Sequence, residues 1–110
     1  VGTGEDAALA VKAGVDGIVC SNHGGRQLNT ARSGIEVLAE VTEALEAEFS
    51  PEELADFDVL MDGGIRRGTD IFKALALGAR AVGIGKPAAF AMSAYDQPGI
   101  EQMISQLEEE

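Results

Sequence analysis

Tryptophan is absent, and one tyrosine and four phenylalanines are the only aromatic residues, so a core has to be assembled from Ala, Val, Ile and Leu. A lone cysteine, Cys20, excludes an internal disulfide, and its place inside an apolar run points to packing rather than reactivity. No run of about 18 apolar residues is present, and the N-terminus has no basic stretch followed by an apolar one, so neither a helical membrane span nor a secretory signal is read. Positive charge is scarce. Eight Lys and Arg against 19 Asp and Glu give a net charge of −11, the wrong field for a phosphate backbone, so nucleic acid is excluded as a partner. One histidine and one cysteine, with no carboxylates at ligand spacing, leave no zinc site and no metal is expected.

What is present suits one α/β domain. The chain has 110 residues, 45% apolar and 25% charged, which is globular composition and enough for a single core. Its few cations are unevenly placed. Arg26, Arg66, Arg67 and Lys86 all fall just after apolar runs, whereas the acids crowd into 36–58 and the C-terminal Glu108-Glu109-Glu110. An acidic protein that collects cations at strand ends is expected to bind a small anion there. The chain opens without Met and on a helix cap, so it reads as a fragment.

In chain order, Thr3 with Asp6 forms a capping pair for a helix over 4–13, stopped by Gly14. Asp16 to Cys20 reads as a short strand, apolar on both faces and therefore a parallel strand covered on each side. After a loop at 21–33, Ile35, Leu38, Val41, Thr42 and Leu45 recur at helical spacing and predict a helix over 34–48. Ser50-Pro51-Glu52-Glu53 predicts a further short helix through Ala55. Asp58 to Met61 is the second strand. Gly68 or Thr69 caps the next helix, with Ile71, Phe72, Leu75 and Ala76 as its buried face and Gly78 closing it. Ala81 to Ile84 is the third strand, followed by a short Ala-rich helix and, after Asp96-Gln97-Pro98-Gly99, an amphipathic helix carrying Ile100, Met103, Ile104 and Leu107. Residues 13–19 and 77–84 form a faint repeat of helix end, glycine stop and strand, which implies a parallel sheet.

Each strand ends in a glycine-bearing polar loop: Ser21 to Gln27, Asp62 to Gly68, and Gly85 to Pro87. In a parallel α/β arrangement all three open on the carboxyl edge of the sheet, where ligands bind. The first loop holds the single histidine, His23, three residues before Arg26. An imidazole exchanges a proton near neutral pH and a guanidinium grips a planar anion with two parallel hydrogen bonds, so the pair suits acid-base chemistry on a carboxylate. Taken alone, the same loop also reads as a polar surface segment. The other two loops combine glycines, a helix amino end and cations, the means by which phosphate is held after the last strands of a (β/α)8 barrel. Two rival phosphate motifs fail. Gly83-Ile84-Gly85-Lys86-Pro87-Ala88 matches G-x-G-x-x-A, but Met103 stands where a dinucleotide fold needs an acid; a P-loop needs Ser or Thr where Pro87 stands.

Ser21-Asn22-His23-Gly24-Gly25-Arg26-Gln27-Leu28, Asp62 through Asp70 and Gly83 through Pro87 together resemble the FMN-dependent L-2-hydroxy-acid dehydrogenase and oxidase family, which includes glycolate oxidase, lactate oxidase and the flavin domain of flavocytochrome b2. The resemblance implies an α/β fold, the C-terminal three βα units of a TIM barrel, over the whole of residues 1–110. It implies FMN as cofactor and a small 2-hydroxy acid, L-lactate above all, as substrate. His23 would be the catalytic base and Arg26 would bind the substrate carboxylate. Asp62, Gly63, Gly64 and Arg66 would line the ribityl and phosphate side of FMN, with Gly85 and Lys86 completing the phosphate site. Arg67 is read instead as a salt-bridge partner.

Two positions depart from the family pattern: Asn29 stands where it has Asp, and Lys86 where it has Arg, a point charge in place of a planar fork. Either oxygen or a cytochrome would reoxidise the flavin. A homo-oligomer is expected of the complete protein, with a mitochondrial address from the flavocytochrome likeness and peroxisomal or cytoplasmic ones left open. Three strands leave two unpaired edges, so the isolated chain is expected to be inactive. A non-catalytic flavin- or phosphate-binding fragment is the alternative function.

Overall fold

The computed structural model describes residues 1–110. Its elements are α1 (Gly4–Lys12), β1 (Gly17–Cys20), a single 3-10 turn (His23–Gly25), α2 (Gly34–Glu48), β2 (Asp58–Asp62), α3 (Gly68–Ala76), β3 (Ala81–Gly83) and α4 (Lys86–Glu109). The three strands pair in chain order, all parallel, with Ile18 opposite Val59, Cys20 opposite Met61 and Met61 opposite Val82. This is the expected sector of a (β/α)8 barrel: each crossover carries a helix to the same side of the sheet.

Local chemistry explains the boundaries. The amide N–H of Asp6 donates to Thr3 Oγ1 at 3.1 Å and starts α1. Ser33 and Glu36 form a reciprocal capping box at α2, the N–H of Ser33 donating to Glu36 Oε2 at 3.1 Å. The helix ends at Gly14 and Gly78 are the same device. The glycine N–H donates three residues back, to Val11 O and Leu75 O, and the next residue's N–H reaches five back, to Ala10 O and Ala74 O. That double closure is the Schellman motif, so the sequence repeat is a structural repeat.

Three expectations are corrected. Residues 50–57 form turns rather than a helix. Ser50 and Glu53 do exchange capping bonds, at 2.8 and 3.3 Å, and the Leu54 N–H closes one helical turn on Ser50 O at 3.2 Å, but the bonds that follow, from Ala55 to Glu52 and from Phe57 to Leu54, are three-residue steps. The strands are covered on one face only: Ile18, Cys20, Val59 and Met61 are buried under α1 and α2, while Val19 on the opposite face is 43% exposed. The inward side chains of a closed barrel are met by strands from across it, and no such strands occur in these residues. On α3 the buried residues are Gly68 and Ala74, with Ile71 partly buried against the core. Ile71, Phe72 and Leu75 line an apolar groove shared with Met103, Ile104 and Leu107 of α4, Phe72 stays exposed there, and Ala76 is exposed as well. The helical period located the apolar stripe correctly, but α4 covers it only in part. The radius of gyration, 15.2 Å, exceeds the roughly 13 Å of a compact chain of this size, as a one-sided sheet requires.

The expected division of the C-terminal segment into two helices is visible inside α4. Tyr95 (φ −144°) and Asp96 (φ +51°) leave helical geometry and bend it just before Pro98. Gly34 positions α2 over the sheet. A Cβ there would overlap the Asp62 carbonyl oxygen and lie 3.2 Å from that of Cys20, so only glycine lets the helix start against the ends of β1 and β2.

Candidate active site

The three loops do converge. Beyond the carboxyl ends of β1, β2 and β3 lies a cavity of about 640 Å³, lined by Ser21 through Arg26, Asp62 through Arg66 and Gly83 through Pro87, together with Ser33 and Gly34. Ile65 and Ile84 are its only aliphatic walls. Every sequence-derived candidate, His23, Arg26, Asp62, Gly63, Gly64, Arg66, Gly85 and Lys86, lies on this one surface.

The chain's route makes the site. His23 leaves β1 in the left-handed region (φ +56°), followed by Gly24 (+61°) and Gly25 (+73°), so the strand closes into a tight turn, the N–H of Arg26 donating to His23 O at 3.2 Å. A histidine in that region costs about 1–3 kcal/mol unless its surroundings enforce it. Asn22 enforces the turn from one side: its Oδ1 accepts the N–H of Gly25 at 3.2 Å, and its Nδ2 donates to Arg32 O at 3.2 Å. Ser21 does so from another, its Oγ accepting the His23 N–H at 3.0 Å and donating to Asp62 Oδ1. After β2 the chain turns through Gly63 (φ +85°) and Gly64 (φ +82°); a Cβ at Gly63 would come within 3.0 Å of Asn22 Oδ1. Asp70 then accepts the N–H groups of Arg66 and Arg67, each at 3.0 Å, and these bonds, the first above all, hold its carboxyl below the usual carboxylate range.

Charge is distributed unequally around the molecule. Lys12, Arg32, Arg67 and Arg80 are each paired with a carboxylate, so Arg67 is a salt-bridge partner, bound to Glu110 at 3.0 Å. Of the four cations without an ion pair, Arg26, Arg66 and Lys86 line the cavity and Lys73 does not. Lys86 Nζ spends one donor on Gly24 O at 3.0 Å and keeps two. No side chain caps the amino end of α4, which begins at the same rim. A Cβ at Gly25, Gly64 or Gly85 would meet no atom within 4 Å, so three backbone segments face open space. Unpaired cations, a bare helix amino end and exposed peptide edges form a donor set for a phosphate carried on a long, flat molecule.

The family of FMN-dependent dehydrogenases matches residues 1–110. The chain belongs to that family. FMN is the family's cofactor, and the donor set fits it. Sequence identity is 47% over 106 residues with an L-lactate dehydrogenase (cytochrome) of Wickerhamomyces anomalus, covering 96% of this chain and 18% of that protein. It is 50% over 108 residues with a peroxisomal (S)-2-hydroxyacid oxidase of Arabidopsis thaliana, 98% of this chain and 28% of that one. It is 49% over 106 residues with a 4-hydroxymandelate oxidase of Amycolatopsis orientalis, 96% and 28%. Among solved structures, flavocytochrome b2 with sulfite bound superposes with a TM-score of 0.92 at 47% identity, over all of this chain and 28% of that one. A mandelate oxidase variant with a monooxide FMN adduct gives 0.86 at 47%, over all of this chain and 32% of that one. This FMN-dependent dehydrogenase chain therefore spans less than a third of each relative's length.

Sequence reasoning missed three contributors. In the sequence Ser21 and Asn22 are loop residues without a legible role, and Arg32 carries no motif. Arg32 pairs with Glu40 and donates to Gly2 O at 2.7 Å, while Glu40 accepts the N–H of Gly4 at 2.9 Å, so the far end of the His23 loop is anchored to α1 and α2. These bonds raise Arg32 and lower Glu40 from their ordinary values, the direct hydrogen bond between them being the largest cause for each.

Proposed function

We propose that residues 1–110 form the C-terminal part of a barrel that oxidises an L-2-hydroxy acid, L-lactate above all, to the 2-oxo acid with FMN. The observation that carries this reading is the placement of three of the four unpaired cations around one cavity, on the same face as the only histidine, in a chain of net charge −11. Arg26 holds the substrate carboxylate through its planar fork. His23, exposed at the rim, accepts the proton that leaves the carbon or the hydroxyl of the substrate. Bound FMN supplies the acceptor for the two electrons. Arg66, Lys86 and the amino end of α4 hold the phosphate, Gly63 and Gly64 admit the cofactor's edge, and Asp62 offers its second carboxylate oxygen, free of protein partners, to a ribityl hydroxyl.

L-lactate is favoured by the two cytochrome-linked lactate dehydrogenases among the relatives, at 47% and 49% identity. That reading brings with it a cytochrome as acceptor and a mitochondrial address; the peroxisomal oxidases imply oxygen and the other compartment. The complete protein is proposed to be a homo-oligomer. The isolated chain binds FMN and does not turn over, because the bare inner face of β1 leaves the far side of the site open.

Titrating the chain with FMN and with riboflavin separates phosphate recognition from adventitious flavin binding: FMN binds at least tenfold more tightly, and equal affinities overturn the reading. Exchanging these residues for the matching segment of the W. anomalus enzyme then tests the chemistry. The hybrid bleaches anaerobically with L-lactate and loses that reaction on His23→Asn. A hybrid that holds FMN but is bleached by no 2-hydroxy acid leaves only the flavin-binding fragment.

A further inference from the structure

We infer that Ser21 is a positioning residue for His23, acting as the middle member of a relay from the Asp62 carboxylate through the Ser21 hydroxyl to the His23 backbone. The relay rests on the reading of His23 as the base for its importance, but not for its existence. Ser21 Oγ donates to Asp62 Oδ1 across the ends of β1 and β2 and accepts the His23 N–H at 3.0 Å. A serine hydroxyl has one proton, so its direction is fixed by the carboxylate, and the lone pairs then left are turned to the His23 amide. Chains of this kind polarise one another, and a charged acceptor at one end strengthens the bond at the other.

The His23 backbone is where such a bond matters. His23 sits at φ +56°, a conformation that a residue with a Cβ adopts only under constraint. Neighbouring constraints act elsewhere: Asn22 Oδ1 holds the Gly25 N–H and Lys86 holds the Gly24 carbonyl, leaving the His23 N–H to Ser21 alone. The left-handed turn takes the chain off the line of β1 at the cavity rim, and so decides where the imidazole is carried. Asp62 holds Ser21 with one oxygen and keeps the other for the proposed cofactor, so the β2 end is coupled to the β1 end that bears the proposed base.

His23 is the only histidine, so its resonances are unambiguous. Its Cα and Cβ chemical shifts in the folded 110-residue chain report the left-handed backbone directly and are independent of global stability and of flavin. The expected pattern is a left-handed shift in the unaltered chain, movement toward the averaged value in Ser21→Ala and in Asp62→Ala, and restoration in Ser21→Thr. In the Ser21→Ala background, Asp62→Ala adds nothing further, which two independent effects would not produce. Unchanged His23 shifts in folded Ser21→Ala overturn the relay, as does full additivity. If Ser21→Ala does not fold, Asp62→Ala alone is read in its place: a shift toward the averaged value supports the relay and an unchanged one overturns it.

Discussion

Lys86 Nζ lies 3.0 Å from the carbonyl oxygen of Gly24, joining the first residue of α4 to the turn that carries His23. A single flexible cation thus lines the proposed phosphate site and holds the residue next to the proposed base. It keeps two donors for an anion, as a point charge rather than a planar fork.

Lys86→Met should weaken FMN by about ten- to a hundredfold, the worth of one charge-assisted hydrogen bond, and leave riboflavin unaffected. Parallel fluorescence titrations measure both. A matched loss for the two flavins would place Lys86 outside the phosphate site.

Gly34→Ala should destabilise the chain by about 1–3 kcal/mol or more, because the new methyl meets the Asp62 carbonyl and the Met61 side chain in a region with no slack. Urea midpoints report it. Gly85→Ala, where the methyl would meet no atom within 4 Å, is the control and should leave the midpoint nearly unchanged.

Glu36 accepts hydrogen bonds from the Ser33 hydroxyl and amide, the hydroxyl being the larger cause, and its carboxyl is held below the ordinary value. A carboxylate lowered in the folded state adds stability above its unfolded value and loses it as pH falls through the folded one. Stability should therefore decline below about pH 5, the upper edge of ordinary carboxylate titration. Glu36→Gln should flatten that decline. Denaturation midpoints at pH 7 and pH 3.5 for both chains give the comparison, and parallel pH dependences would remove Glu36 as a contributor.

Cys20 is fully buried, and burial pushes its thiol above the ordinary range, with the N-terminal ammonium as the lesser, opposing influence. Native chain should react with an aromatic disulfide reagent at least about a hundredfold more slowly than urea-unfolded chain, since the thiolate forms only on opening. Comparable rates would mean that β1 is not held under α2.

Much of this was written locally in the sequence. Glycines 14 and 78 mark helix ends because left-handed closure needs them, and Ser33 with Glu36 marks a start because the capping bonds span three residues. Convergence of the three loops followed from parallel pairing. What escaped was non-local. The Ser21 bond to Asp62 joins residues 41 apart, and the Arg32 pair with Glu40 depends on how a loop folds back, so neither leaves a periodic trace. The misplaced burial of Phe72 and Val19 has a related cause: apolar spacing shows which face seeks cover, not whether a second layer supplies it.

The two Schellman closures sit at the amino ends of their strands, and the cavity sits at the carboxyl ends. Substitutions that alter stability can therefore be made at one pole without retuning the other. The turns at 50–57 lie at the chemically silent pole, between α2 and β2, and should accept inserted residues or a fused tag. A change in the cavity would instead have to be written into the 18 residues that line it at the opposite pole, which makes this chain a cassette whose scaffold and site can be edited separately.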